Sequence, residues 1–279
     1  MGTLAIIISL ALLMFFAYRG ISVLILAPIM AAVAILLSGD MIYMMPQYTE
    51  TFMSALGGYI LKFFPIFLLG ALFGQLMVDS GAASSISNSI MNKLGHQRAI
   101  LTVVLACGVL TYGGVSLFVV AFAIYPIAKS MFQAANIPKR LIPGAIALGS
   151  FTFTMTALPG SPSIQNAIPI PFFGTNVFAA PGIGIISGLI MFGLGSIWLQ
   201  SRANKARNNG EGYGVDTEEG EKLEDGVTSK GEMPVFLAFL PLLLVIGVNA
   251  LFTYIIFPGM DFSSLKELYP KLYPSKQTG

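Results

Sequence analysis

The 279-residue chain is too apolar for an ordinary water-soluble domain: 55% of its residues are hydrophobic, 10% are charged, and the mean hydropathy is +0.79. Its single cysteine, Cys107, excludes an intrachain disulfide and a cysteine-based metal cluster, and we expect it to be a small core residue. The formal net charge is +2, and most acidic residues lie between Glu211 and Glu232, so the positions of the charges indicate topology and give no reason to expect a nucleic-acid partner. Composition therefore predicts an all-α, polytopic membrane protein.

The first part of the chain contains three long apolar runs and one amphipathic segment. Residues 4–18 and 21–38 predict a helical pair, and the first is expected to be retained because it lacks the charge and the cleavage site of a signal peptide. Residues 56–78 predict a third span. Residues 80–98 place apolar side chains among small polar ones at helical spacing, which predicts a helix lying along the membrane interface.

Residues 99–128 predict a re-entrant helical hairpin. Its two apolar arms are short, and Gly113 and Gly114 lie between them. Basic residues precede the first arm and follow the second, so the positive-inside rule places both ends on the cytoplasmic side. Two arms that each span the bilayer would also return the chain to that side, but the arm lengths and the paired glycines favour re-entry.

A broken transmembrane helix is predicted over about residues 140–172. The sequence LPGSPS at 158–163 interrupts it, because two prolines and a glycine remove backbone donors and helical geometry. Non-helical backbone at membrane depth persists only where it is buried in protein or lines a cavity. The interruption is therefore expected within the bilayer.

The rest of the chain predicts two further spans separated by a polar loop. Residues 177–199 form a full span followed by basic residues, and residues 208–232 form an acidic, glycine-rich cytoplasmic loop. Residues 233–257 predict another transmembrane helix. Residues 258–279 predict an extracytoplasmic tail, so that both termini lie outside.

Patterns typical of enzymes are missing from the sequence. It has no HExxH motif, no Ser-His-Asp set and no glycine-rich phosphate loop, and its only histidine is His96. A membrane-embedded hydrolase needs a nucleophile with a base, or a metal with several ligands. We therefore expect neither enzymatic activity nor a cofactor.

Polar residues around the helix interruption predict a binding site. The candidates are Thr154, Thr156, Gly160, Ser161, Ser163, Gln165 and Asn166. Such side chains would be unsatisfied if they faced lipid, and their presence on both flanks of the interruption favours a site. The alternative is that the hydroxyls bond to their own helix and that the prolines only kink it.

The hairpin tip is the second candidate. Gly113, Gly114 and Ser116 would bring backbone amides and the positive end of the second arm close to an anion. A simple tight turn is the alternative interpretation. If both interruptions reach a similar depth, they face each other across one pocket in which neutral donors hold a carboxylate.

Three segments carry a family resemblance. They are GALFGQLMVDSGAASSIS after the third span, LTYGGVSLFVVAFAIYPIAKSMF at the hairpin, and IPGAIALGSFTFTMTALPGSPSIQNAIPIPFFGTN across the interruption. Together they resemble the gluconate permease family of proton-coupled symporters, within the wider ion transporter superfamily. The resemblance implies uptake of gluconate or a related short carboxylate, coupled to H⁺ or Na⁺, across the bacterial inner membrane.

The resemblance also implies an architecture of two inverted repeats, each with a hairpin and a broken helix, in an elevator-type homodimer. Residues 1–207 contain one hairpin and one broken helix and so correspond to the first repeat, with a truncation point at 258–279. We expect either a symporter or, alternatively, an incomplete half-transporter that acts only as a membrane subunit with another chain. The expected partners are the lipid bilayer, a small organic anion and a second copy of the chain.

Overall fold

The computed structural model describes residues 2–39, 41–214 and 233–261. Every regular element within these ranges is helical. The predicted acidic loop and the predicted tail lie mostly outside the described residues. The chain divides into two compact units, Met1–Leu68 and Leu69–Gly279.

Helices of very different length follow one another along the chain. They are α1 (Gly2–Tyr18), α2 (Val23–Ser38), α3 (Met44–Pro46), α4 (Met53–Asp79), α5 (Ala82–Leu94), α6 (Ala99–Tyr112), α7 (Leu117–Ala134), α8 (Ile142–Ser150), α9 (Phe153–Thr156), α10 (Ile164–Ala167), α11 (Ile170–Phe173), α12 (Pro181–Asn208), α13 (Val235–Leu251) and α14 (Phe257–Gly259).

The first unit contains the predicted helical pair. Helices α1 and α2 pack against each other, and the turn between them includes Gly20 with a φ of 87°. Both helices expose large apolar side chains, among them Leu4, Ile7 and Leu24. Apolar exposure of this extent is expected where lipid covers the surface.

Four of the described helical stretches are long and apolar enough to cross a membrane: Met44–Asp79, Leu117–Ala134, Pro181–Asn208 and Val235–Gly259. Helices α1, α2 and α6 are shorter apolar helices. The second hairpin arm, α7, has 18 residues and is longer than predicted. Arm length therefore does not distinguish a re-entrant arm from a spanning one, and re-entry stays a prediction.

The core of the second unit lies between the two hairpin arms and α8. Val104, Cys107 and Val120 are completely buried there, which confirms the expectation for Cys107. Gly149 of α8 lies so close to α6 that an added Cβ would be 2.4 Å from the carbonyl oxygen of Val104. Only a residue without a side chain permits this approach of the two backbones.

The broken helix is interrupted earlier than the sequence predicts. Helix α8 ends at Ser150, and Thr152 leaves the helical region with φ −97° and ψ −107° before the single turn of α9. The Thr152 hydroxyl donates to the carbonyl oxygen of Leu148, a local bond that competes with continuation of the helix. Beyond the proline-rich segment, the predicted apolar arm consists of two separate short helices, α10 and α11.

Helix α12 packs a face lined with glycines against the broken helix. An added Cβ at Gly184 would be 2.4 Å from the carbonyl oxygen of Ala157, and one at Gly195 would be 2.4 Å from the Leu148 side chain. The two glycines are eleven residues apart, about three helical turns, and so lie on one face. This face supports the region in which the helix is broken.

Residues 209–214 follow α12 and dock on the connection between the hairpin and the broken helix. The Arg140 guanidinium donates to both carboxylate oxygens of Glu211, at 2.6 and 2.7 Å, and the Tyr213 N–H donates to Asn136 Oδ1 at 2.9 Å. The hydrogen bond from Arg140 lowers the pKa of Glu211 because it favours the charged form. We call these four residues the clasp.

Candidate functional site

Two segments of the second unit hold most of the predicted site residues. The hairpin tip, residues 111–116, joins α6 to α7, and the helix break, residues 157–163, follows α9. Neither segment contains a charged residue, and none occurs anywhere in residues 141–173. A ligand held by these segments therefore meets neutral donors and acceptors.

The hairpin tip lies directly against the helix break. The Tyr112 hydroxyl donates to the carbonyl oxygen of Pro159 at 2.9 Å. Gly114 faces Pro162 so closely that an added Cβ would lie 2.9 Å from Pro162 Cγ. The structure thus brings together the two segments in which the sequence predicts a site.

The glycine amides of the tip are already used within the turn. The N–H groups of Gly113 and Gly114 donate to the carbonyl oxygens of Val109 and Thr111, at 3.1 and 3.0 Å. Gly114 has a φ of 101°, which favours glycine. Gly113 packs beneath α13, where an added Cβ would be 2.4 Å from Leu242 Cδ2. Both glycine amides are therefore used as in a simple tight turn, the alternative interpretation of the tip.

Open donors occur instead at the start of α7. Ser116 is the N-cap residue and its hydroxyl makes no capping hydrogen bond. The first N–H groups of a helix have no partner within the helix and form its positive end. Gly74 of α4 approaches this end closely, since its ideal Cβ position is 3.4 Å from Ser116 N. The positive end of α7 therefore borders the tip.

Ser161 is a buried polar residue of the break without a partner. Its side chain is 0% exposed, and its Oγ makes no hydrogen bond within the described part of the chain. It lies between the two prolines that contact the tip. Gly160 precedes it with a φ of 82°, and the Gly160 N–H donates to the carbonyl oxygen of Val177 at 2.8 Å. Burial of an unpaired hydroxyl costs free energy that a ligand would recover.

Both threonines of the predicted set bond to their own chain segment. The hydroxyls of Thr154 and Thr156 donate to the carbonyl oxygens of Gly149 and Thr152, each at 2.8 Å. These two hydroxyls therefore follow the alternative interpretation, in which hydroxyl groups bond to their own helix. Donating to backbone, these two side chains stabilise the turns on either side of the irregular residue Thr152.

The remaining predicted side chains lie after the break. Ser163 Oγ donates to the Met155 carbonyl oxygen at 3.3 Å, and Asn166 Nδ2 donates to the Ser161 carbonyl oxygen at 3.1 Å. Asn166 also reaches the carbonyl oxygen of Leu158 at 3.3 Å. Gln165 is exposed. Ser163 and Asn166 therefore satisfy carbonyl groups in and before the break, and the break keeps its shape through them.

Two tip residues outside the predicted set also belong to this region. Thr111 is 3% exposed and its Oγ1 has no partner among the described residues, while Tyr112 makes the bond to the break. The sequence signal was the pair of hydroxyl residues directly before two glycines. Spacing alone does not fix the direction of a side chain at a helix end, so the pattern favoured the two glycines and Ser116.

The apolar helices define the class of the chain as a multi-pass helical membrane protein. Comparison with family models identifies the family. The family model described as GntP family permease matches residues 1–265, and the chain therefore belongs to the GntP family of permeases. The family is described as one of permeases and the relatives found are named transporters, which places this multi-pass protein in the bacterial plasma membrane.

Two curated relatives are similar to this chain. "Uncharacterized transporter YxjC" of Bacillus subtilis (strain 168) is 49% identical over 274 residues, which cover 95% of this chain and 58% of the relative. An "Uncharacterized transporter" of Haemophilus influenzae (strain ATCC 51907 / DSM 11121 / KW20 / Rd) is 35% identical over 127 residues, covering 45% of this chain and 30% of the relative. The chain thus spans less than two thirds of the length of either. No solved structure matches.

Proposed function

We propose that this chain provides secondary transport of a small organic anion, a short carboxylate such as gluconate, coupled to H⁺ or Na⁺. The observation that carries the proposal is the completely buried hydroxyl of Ser161, which has no partner among the described residues and lies between the two prolines that contact the hairpin tip. A carboxylate accepts hydrogen bonds from such a donor. The nearby first turn of α7 adds backbone donors and a positive helix end.

The neutral character of the region shapes the proposed chemistry. Residues 141–173 contain no cation, so the carboxylate would be held by hydroxyl and backbone N–H groups without a salt bridge. The same residues contain no carboxylate that could carry a coupling proton. Coupling would then use backbone carbonyls and hydroxyls, or groups elsewhere in the assembled carrier.

A second candidate function is that of a membrane subunit which transports only together with another chain. The observation in its favour is the comparison with the Bacillus relative, of which the alignment covers 58%. In that case the tip and the break form one side of a site that a second chain completes. Carboxylate binding would then require both chains.

Substitution of Ser161 tests the proposed site. In the full chain, reconstituted in lipid, we expect Ser161→Ala to weaken binding of gluconate or the best ligand among short mono- and dicarboxylates by about 1 to 3 kcal/mol, because a hydrogen bond to a charged group is lost. Equilibrium binding of radiolabelled carboxylate measures the change.

Ser196→Ala is the matched control. Ser196 Oγ is also buried without a partner among the described residues, but it lies on α12. We expect this variant to bind like the parent protein. Equal binding by Ser161→Ala and the parent, at equal amounts in the membrane, would contradict the site, and failure of every carboxylate to bind the parent would contradict the substrate class.

A further inference from the structure

We infer that Tyr112 is a positioning residue that holds the hairpin tip on the helix break and keeps Ser161 enclosed. We call the hydrogen bond from Tyr112 to the break the latch. Its effect on transport rests on the proposed function, whereas the hydrogen bond itself is observed in the structure. It assigns a role to a side chain that lies outside the predicted set of ligand-binding residues.

The latch is a single hydrogen bond between two segments far apart in the sequence. Tyr112 is the last residue of α6, and its hydroxyl donates to the Pro159 carbonyl oxygen at 2.9 Å. In a continuous helix this carbonyl would accept from the N–H of Ser163. Ser163 instead has the extended conformation of an N-cap, with φ −71° and ψ 152°. The break therefore frees the carbonyl, and Tyr112 supplies its donor.

The other contacts of the tip are apolar, and apolar packing has no preferred direction as a hydrogen bond has. Gly114 packs against Pro162, with Val245 and Phe73 nearby, and Gly113 packs beneath Leu242. Within the described residues, no second hydrogen bond joins the tip to the break. Loss of the one directional bond therefore weakens this contact and shifts it toward the separated state.

The latch lies next to the enclosed hydroxyl of Ser161. Pro159 and Pro162, which contact the tip, flank Ser161, and the Ser161 side chain is 0% exposed. Separation of the tip from the break opens the route by which a ligand or a reagent reaches this residue. Tyr112 thus sets the equilibrium between an enclosed and an accessible Ser161.

Thiol labelling measures this equilibrium without any substrate. Ser161→Cys places a thiol at the enclosed position, and its reaction with N-ethylmaleimide in membranes reports opening. We expect Tyr112→Phe to accelerate labelling of Ser161→Cys about threefold to tenfold, as the loss of one hydrogen bond implies. The native Cys107, which is completely buried in the core, is an internal reference for global unfolding.

Two further variants distinguish loss of the Tyr112 hydrogen bond from a general effect of changing a tyrosine side chain. Tyr125→Phe is the matched control, since Tyr125 lies half-buried on the other hairpin arm and makes no hydrogen bond among the described residues. It should leave labelling unchanged. Tyr112→para-aminophenylalanine keeps a donor at the same place and should restore slow labelling. If Tyr112→Phe fails to accumulate, Tyr112→para-fluorophenylalanine provides a ring of similar size without the donor.

Transport kinetics give the second readout. If a short carboxylate is carried, Tyr112→Phe should raise its KM by about threefold to tenfold without lowering the maximal rate, because the closed site becomes less populated. Unchanged labelling in Tyr112→Phe, or equal acceleration in Tyr125→Phe, would overturn the latch. Accelerated labelling in a chain that binds no carboxylate would retain the latch and contradict only the proposed function.

Discussion

Single glycines set how closely the helices approach each other around the broken helix. Gly149 allows α8 to touch the backbone of α6, and Gly184 allows α12 to touch the backbone of α9's C-terminal end at Ala157. Each contact is between backbone atoms, which cannot move aside as a flexible side chain does. The cost of adding a methyl group at such a place follows from overpacking.

Gly149→Ala is expected to destabilise the protein by about 1 to 3 kcal/mol, because its Cβ would meet Val104 O and Cys107 Cβ at 2.4 and 2.5 Å. Gly193→Ala is the control, since this helical glycine has nothing within 4 Å of an added Cβ. Alanine there should be neutral or stabilising by up to about 1 kcal/mol. Thermal unfolding of the purified protein in detergent measures both, and equal melting temperatures for the two variants would refute the packing argument.

The residue types around the break predicted where polar groups cluster, but not which of them are free. Thr154 and Ser161 are alike in the sequence pattern, yet one hydroxyl donates to its own segment and the other has no partner among the described residues. The difference depends on whether a carbonyl oxygen lies within reach after the backbone turns. That geometry depends on the backbone angles at Thr152 before the one hydroxyl and at Gly160 before the other, which spacing and composition do not reveal.

At the scale of elements, the paired glycines and the LPGSPS segment coincide with two interruptions of the described helices. The described helices end at Tyr112 and resume at Leu117, and residues 157–163 are non-helical. Two details were wrong. Helix α7 is longer than predicted because the helix continues through Lys129 to Ala134. The broken helix is interrupted first at Ser150, where the bond from the Thr152 hydroxyl to the Leu148 carbonyl oxygen competes with the helical ladder.

The clasp connects two elements that are distant in sequence, and no periodic pattern predicts it. Arg140 precedes the broken helix and Glu211 follows α12. Charge reversal tests it: Arg140→Glu or Glu211→Arg alone should reduce the hydrogen-exchange protection of residues 209–214, and the double variant should restore it. Because both side chains are exposed, the effect should shrink at high salt. Loss of protection in the double variant equal to that in either single variant would contradict the pairing.

The clasp also has a defined dependence on pH. The pKa of Glu211 is lowered in the folded protein, so its contribution is present above the unfolded pKa and is lost as the pH falls through the folded pKa. Protection of residues 209–214 should therefore not vary around neutral pH and should fall only below the usual range of a glutamate. In Glu211→Gln the acid-dependent loss should be absent.

At the scale of the whole molecule, composition was sufficient to predict a helical membrane protein, and the family resemblance is confirmed by the match over residues 1–265. Neither composition nor family membership identifies the substrate or the coupling ion. A site of neutral donors and backbone groups contains no residue whose identity names the ligand. The proposed carboxylate therefore depends on the resemblance, on the positive end of α7 and on the Ser161 hydroxyl, which has no partner in the part of the chain that the structure describes.

Gradient-driven uptake tests the central claim most directly. The full chain, reconstituted in proteoliposomes, should accumulate radiolabelled gluconate or a related short carboxylate when an inward H⁺ or Na⁺ gradient is imposed. Dissipating the gradient with an ionophore should abolish accumulation. Ser161→Ala should require a higher substrate concentration for the same rate, by about fivefold or more, while Ser196→Ala behaves like the parent. If no carboxylate accumulates under either gradient although the protein is folded and inserted, the proposal that this chain by itself transports such an anion is contradicted.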